Sequence, residues 1–166
     1  MTDNVRVLAV DRSLTSTAWA YGTLTRTIKG DKLRGPERLD YIWNEIAFAI
    51  QAGDITHVVT EGYAFGKGFQ AHQIGELGGL FKVELWRAGI PCGEVTPAQI
   101  KQFATGKGNA KKDDMIEAAI RHFGFTGHGN DEADAWLMLC MAEVALGVRG
   151  STARQLEIAR KVVWPW

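Results

Sequence analysis

Asp11 and Glu61 each close a short run of apolar, β-branched residues, Val5 to Val10 before the first and Thr56 to Thr60 before the second. Far along the chain, Asp131, Glu132 and Asp134 crowd into Asn130-Asp131-Glu132-Ala133-Asp134-Ala135-Trp136. Taken singly, these acids have ordinary explanations. A strand-end carboxylate can simply be solvated, and acids at a helix start are favoured by the macrodipole, with Asn130 or Asp131 available as a cap. Three acids framed by Gly129, Ala133 and Ala135 exceed what capping needs, and the small neighbours leave room for something to approach. Asp131 and Asp134 are three positions apart, so both face one side of a helical first turn, and Glu132 is expected to face elsewhere.

If the two strands are neighbours, Asp11 and Glu61 stand together beyond the carboxyl ends of a sheet, where α/β folds bind ligands. Four carboxylates converging there would repel one another, and a hard divalent cation relieves the repulsion. Mg²⁺ takes one or two carboxylates plus waters and substrate phosphate oxygens, and Mn²⁺ accepts the same ligands. Two such ions about 4 Å apart activate a water and stabilise the leaving oxygen of a phosphodiester. The candidate catalytic and metal-binding set is therefore Asp11, Glu61, Asp131 and Asp134. His57, His72, His122 and His128 show no zinc spacing, although His128 lies close enough to the acids for an auxiliary role.

A second group is basic. Lys101, Lys107, Lys111 and Lys112 fall close together with no acid among them, and Gly106 and Gly108 would let the backbone approach phosphates. The alternative is a solvated helix-loop-helix face. After Glu61 comes a loop with Tyr63, Phe65, Lys67 and Phe69, where an aromatic could stack on an unpaired base or pack beneath the loop. Neither Gly106-Lys107-Gly108 nor Gly66-Lys67-Gly68 meets the phosphate-loop pattern, so no nucleotide cofactor is expected.

The elements that must position these groups follow from periodicity. Strands are expected at residues 5–10, 16–21, 24–29, 56–60 and 90–95. Helices are expected at 36–52, 71–88, 97–103, 111–122 and 131–146, with a basic amphipathic segment at 152–163. The first three strands are closely spaced and must form an antiparallel meander, whereas the later ones alternate with helices and pair in parallel. The fold class is thus α/β, a mixed five-stranded sheet flanked by helices. Ile74, Leu77, Phe81 and Leu85 form one helical stripe with Gly75, Gly78 and Gly79 nearby, suited to core packing or to a dimer face. Met115, Ile116, Ala119 and Ile120 are expected to point inward, and Trp19, Trp43, Trp86 and Trp136 to lie in the core. Trp164-Pro165-Trp166 could cover an exposed core edge, mediate assembly or be disordered.

The 166 residues, 46% hydrophobic and 23% charged, describe one ordinary globular unit. No apolar run approaches the roughly 18 residues of a membrane span. The N-terminus lacks a signal-peptide pattern, and Cys92 and Cys140 are the only cysteines, so a reducing cytoplasm is expected. Lys plus Arg equals Asp plus Glu, at 19 each, so any nucleic-acid surface must be local.

The chain resembles the RuvC-type Holliday junction resolvases of the RNase H-like (retroviral-integrase) superfamily. The resemblance rests on Asp11, Glu61 and Asp131-x-x-Asp134 in their order, on Val95-Thr96-Pro97 leading to Gln99-Ile100-Lys101-Gln102, and on Gly108-Asn109-Ala110-Lys111-Lys112-Asp113. It covers most of residues 5–145. It implies a two-metal-ion, Mg²⁺-dependent endonuclease that nicks four-way junctions and other branched DNA, acting as a homodimer. Lys101 and Lys112 match the family's basic positions, and Phe65 or Phe69 the loop aromatic at the crossover. It also implies a nuclease domain at residues 1–148 with a helical extension at 149–166. The family usually carries Gly soon after its first Asp; here Arg12-Ser13-Leu14-Thr15 follows, a departure that fits a remote or phage member. The rival readings are a ribonuclease H acting on RNA–DNA hybrids and a non-catalytic junction-binding protein. A third, an actin-like phosphotransferase, rests only on Asp11-x-Ser-x-x-Ser-Thr and lacks a second phosphate loop.

Overall fold

The computed structural model describes residues 4–62, 69–127 and 129–165, with the side chains at 69 and 70 outside that description. Its strands are β1 (Val7–Asp11), β2 (Ser16–Tyr21), β3 (Leu24–Lys29), β4 (His57–Glu61) and β5 (Cys92–Val95). Its helices are α1 (Gly35–Ala52), α2 (Phe69–Arg87), α3 (Pro97–Thr105), α4 (Lys112–Phe123), α5 (Asn130–Ala145) and α6 (Ala153–Ala159).

One sheet has the order β3-β2-β1-β4-β5. The β3-β2-β1 pairs are antiparallel and the β1-β4-β5 pairs parallel, the arrangement expected of an RNase H-like sheet. Gly22 at φ 59° makes the tight reversal between β2 and β3. β1 is central, and its alternation feeds two cores. Val7 and Ala9 face the side covered by α3, α4, α5 and α6, while Leu8 and Val10 face α1 and α2.

On the α1/α2 side, Ile42, Ile46, Leu77, Phe81 and Leu85 are buried against the sheet, with Trp43 edge-on to Phe81 at 5.2 Å. Truncating Phe81 to Ala would cost about 3–5 kcal/mol. On the other side lies α5, in which every residue from Ala135 to Ala142 is buried. A helix apolar all round has neighbours all round. Here they are β1 and β2 on one flank and α3, α4 and α6 on the others.

Several expectations need correction. The inward face of α4 is Met115, Ala118, Ala119 and Phe123; Ile116 is half-buried and Ile120 is 52% exposed, because small alanines let α4 sit close to α5 on a narrower stripe. Trp86 is 66% exposed near the end of α2, and Ile74 at its other end is exposed too. Trp19 and Trp43 are half-buried and Trp136 is buried, its indole N–H donating to the Phe123 carbonyl at 3.0 Å. Neither Asn130 nor Asp131 caps α5; Gly129 holds the N-cap without a side-chain bond.

The basic C-terminal segment is helical only over α6 and then becomes extended. The Val163 N–H and C=O pair antiparallel with Glu94 on β5 at 3.1 and 2.8 Å. Trp164 lies over Gly93, where an added Cβ would meet its ring at 2.8 Å, and stands edge-on to His57. The edge strand β5 is thereby covered, the first of the three roles considered for this tail. Among the described residues, no helix is long and apolar enough to cross a membrane.

Candidate active site

The parallel register of β1 with β4 runs to Val10↔Thr60, so Asp11 and Glu61 emerge side by side at the carboxyl ends of neighbouring strands. α5 packs its N-terminal half across β1 and β2 and brings two further acids to the same place. Their proximity shows in the proton affinities. The Asp11 carboxyl is pushed up to about 7 by burial first, then by the negative charges of Asp134, Glu61 and Asp131, with Lys112 opposing. Glu61 is raised by burial and by Asp134, with Arg12 opposing. Asp134 is raised by burial, against Lys112, with Asp131 adding and Lys101 opposing. Asp11 thus feels the other three acids, Glu61 feels Asp134 and Asp134 feels Asp131, and two lysines stand near them.

Asp131 accepts a hydrogen bond from the Ser16 hydroxyl at 2.9 Å, and that oxygen also accepts from Lys29 Nζ at 3.2 Å. Glu132 turns away to β3, where its two carboxylate oxygens accept from Thr25 Oγ1 at 2.9 Å and Thr27 Oγ1 at 3.1 Å. This fixes the rotation of the α5 N-terminus, which has no capping side chain of its own.

A cavity of about 240 Å³ opens beside the acids. Glu61, Asp134, Lys101 and Lys112 line it above Ile100, Met115 and Met138. Lys101 is held in α3, which a Thr96–Gln99 capping box starts. Lys112 opens α4, and Asp114 accepts the Lys111 backbone N–H at 3.1 Å. Lys107 and Lys111 are exposed on the connecting loop. A larger hollow of about 580 Å³ among α3, α4 and α6 contains none of the four acids. Tyr63, Phe65, Lys67 and His128, and the side chain of Phe69, lie outside the described residues.

No family model matches the chain. It is 33% identical over 110 residues to the crossover junction endodeoxyribonuclease RuvC of Anaeromyxobacter sp. (strain Fw109-5), an alignment covering 66% of this chain and 53% of that protein. It is 31% identical over 101 residues to the RuvC of Synechococcus sp. (strain WH7803), covering 60% of this chain and 66% of that one. The Thermus thermophilus RuvC structure superposes with a TM-score of 0.71 at 18% identity, over 87% of this chain and 98% of that one. The same protein in complex with a Holliday junction substrate gives 0.70 at 19% identity, with the same coverage.

The chain belongs to the RuvC-type Holliday junction resolvase family.

The aligned part spans about half to two thirds of the length of the RuvC relatives it matches. Against the RuvC-type pattern, the residues that sequence reasoning missed are Arg12, Ser16, Lys29 and Thr60. Arg12 is visible in sequence only as part of the departure after Asp11, with no sign of its partners on β4. Ser16 and Lys29 carry no signal of their own and become visible only when α5 crosses β2.

The donor chemistry fits a divalent cation. Buried carboxylates that raise one another's proton affinity are stabilised by positive charge, and hard cations take oxygen ligands. Among the described residues, no three carboxylate, imidazole or thiol side chains close on one point tightly enough to cage an ion.

Proposed function

We propose that this chain is a divalent-cation-dependent endonuclease that nicks four-way DNA junctions and other branched DNA, in the cytoplasm of a bacterium or of a phage host. The reading rests most on one observation: Asp11, Glu61, Asp131 and Asp134, drawn from two strands and one helix, are electrostatically coupled at one sheet end beside two lysines. The solved RuvC complex with a Holliday junction substrate, on the same fold, supports the junction as ligand.

In this reading Asp11, Glu61, Asp131 and Asp134 would hold two Mg²⁺ or Mn²⁺ ions. Such ions supply a water nucleophile at neutral pH and offset charge on the phosphodiester and its leaving 3′-oxygen. No protein residue forms a covalent intermediate. Lys101 and Lys112 bind the scissile phosphate region, while Lys107 and Lys111 contact the backbone further out. Lys67 and the aromatics Phe65 and Phe69 meet the branch point. A homodimer would present two such sites to the two strands of a roughly two-fold symmetric junction. Residues 1–148 form the nuclease unit, and 149–166 an extension that braces it. No nucleotide cofactor enters the scheme.

The test is a labelled four-way junction, fork, linear duplex and RNA–DNA hybrid, each incubated with Mg²⁺ or EDTA, with Asp11→Asn alongside. Paired nicks in the junction, lost with EDTA and in the variant, are expected. A cut hybrid beside an intact junction would move the assignment to ribonuclease H. Tight junction binding without any cleavage would make the protein an architectural binder.

A further inference from the structure

The β1–β4 register stops one residue short of the two acids, at Val10↔Thr60. Beyond it, two carboxylates stand on neighbouring strand ends with no ladder bond between them in that register. Two like charges left on neighbouring strand ends repel, which tends to splay the tips apart. Asp11 and Glu61 direct this charge towards α5. The next residue, Arg12, carries a positive charge felt both by Glu61 and by Cys92 in the core under α1 and α2.

Arg12 Nε donates to Thr60 Oγ1 at 2.8 Å, and Arg12 Nη2 donates to the Glu61 carbonyl at 2.5 Å. Both bonds run from the end of β1 to the end of β4. They start where the backbone ladder stops, and they leave the carboxylates unengaged. Bonds with a charged donor are roughly twice as strong as neutral ones, and a guanidinium fork restricts geometry as well as distance.

We infer that Arg12 is a positioning residue for the acid cluster: its guanidinium ties β1 to Thr60 and to the Glu61 main chain, fixing how far apart Asp11 and Glu61 stand. The inference rests on the metal-dependent reading above. Arg12 acts through the strand that carries Glu61. It also places a positive charge near Glu61 that offsets part of the repulsion among the acids. Lysine could replace the charge but not the two-point tie.

The experiment measures Mn²⁺ affinity of the full chain by titration calorimetry, without DNA, for wild type, Arg12→Ala, Arg12→Lys and Thr60→Val. Far-UV circular dichroism and melting run in parallel. Outer partners of metal ligands typically contribute 10- to 100-fold in metal affinity, so Arg12→Ala should weaken Mn²⁺ binding about 10-fold or more. Thr60→Val keeps the bond to the Glu61 carbonyl and should lose less than Arg12→Ala. Arg12→Lys should stay folded yet bind Mn²⁺ more weakly than wild type, and millimolar guanidinium should partly restore Arg12→Ala. Wild-type Mn²⁺ affinity in folded Arg12→Ala and Arg12→Lys would overturn the positioning role alone. Absence of Mn²⁺ binding by the wild type would overturn the metal reading, and this inference with it.

Discussion

The Ser16 hydroxyl donates to Asp131 across 2.9 Å, joining the first residue of β2 to the first turn of α5. Lys29 holds the same hydroxyl oxygen from β3, so three elements meet at one carboxylate. Hydrogen bonds to charged groups contribute about 1.5–3 kcal/mol. Ser16→Ala should therefore leave the fold intact but raise the Mg²⁺ concentration needed for half-maximal junction cleavage by roughly 10-fold. A Mg²⁺ titration of cleavage checks this, and an unchanged midpoint would dismiss the contact as incidental.

Glu132 makes a separate prediction, because its bonds to Thr25 and Thr27 point away from the acid array. Glu132→Ala should lower stability by about 1–3 kcal/mol and loosen α5 at its start. Glu132→Gln, which keeps one carboxyl-type acceptor, should lose less. Urea melts of the two variants decide the order, and equal losses would mean that the charge, not the paired acceptors, matters.

Asp11 sets a pH dependence. Its carboxyl ionises at about 7 in the folded chain against 3.8 ordinarily, so between those values the folded state binds the extra proton. The contribution of Asp11 to the stability of the metal-free protein is then fullest below about 4 and is lost as pH rises through about 7. A divalent cation replaces the lost proton as the source of positive charge. The gain in melting temperature on replacing EDTA by Mg²⁺ should therefore be larger at pH 8 than at pH 5. The reverse order would contradict the assignment.

Lys112 lies in the cavity with Glu61 and Asp134. Lys112→Ala should weaken junction binding across all sequences and reduce the slope of log affinity against log salt by about 1. Filter binding at several salt concentrations in EDTA measures it. An unchanged slope would remove Lys112 from the phosphate contacts.

Sequence carried some of this site and not the rest, for physical reasons. Asp11 and Glu61 stand out because each ends a short β-branched run, and two such ends gain meaning together once their strands are neighbours. Asp131 and Asp134 stand out by helical spacing. The antiparallel meander follows from the short connections, whereas the adjacency of β1 and β4 is conditional in the sequence and is supplied by the fold. What sequence does not contain is which distant surfaces meet. Glu132 reads as a spare acid until β3 is seen beneath it. Ile120 and Trp86 look like core because composition does not say how wide a buried stripe is. Arg12 looks like a loop cation until β4 lies alongside.

The pairing of Val163 with Glu94 and the seat of Trp164 on Gly93 have a consequence for biosynthesis. β5 leaves the ribosome well before its cover, and α3, α4, α5 and α6 must all be made in between. Throughout that interval the nascent chain carries an unguarded strand that another nascent chain on the same messenger can pair with. A chain that stopped before Val163 would make the interval permanent, adding the outer edge of β5 to the sheet edge that β3 already presents.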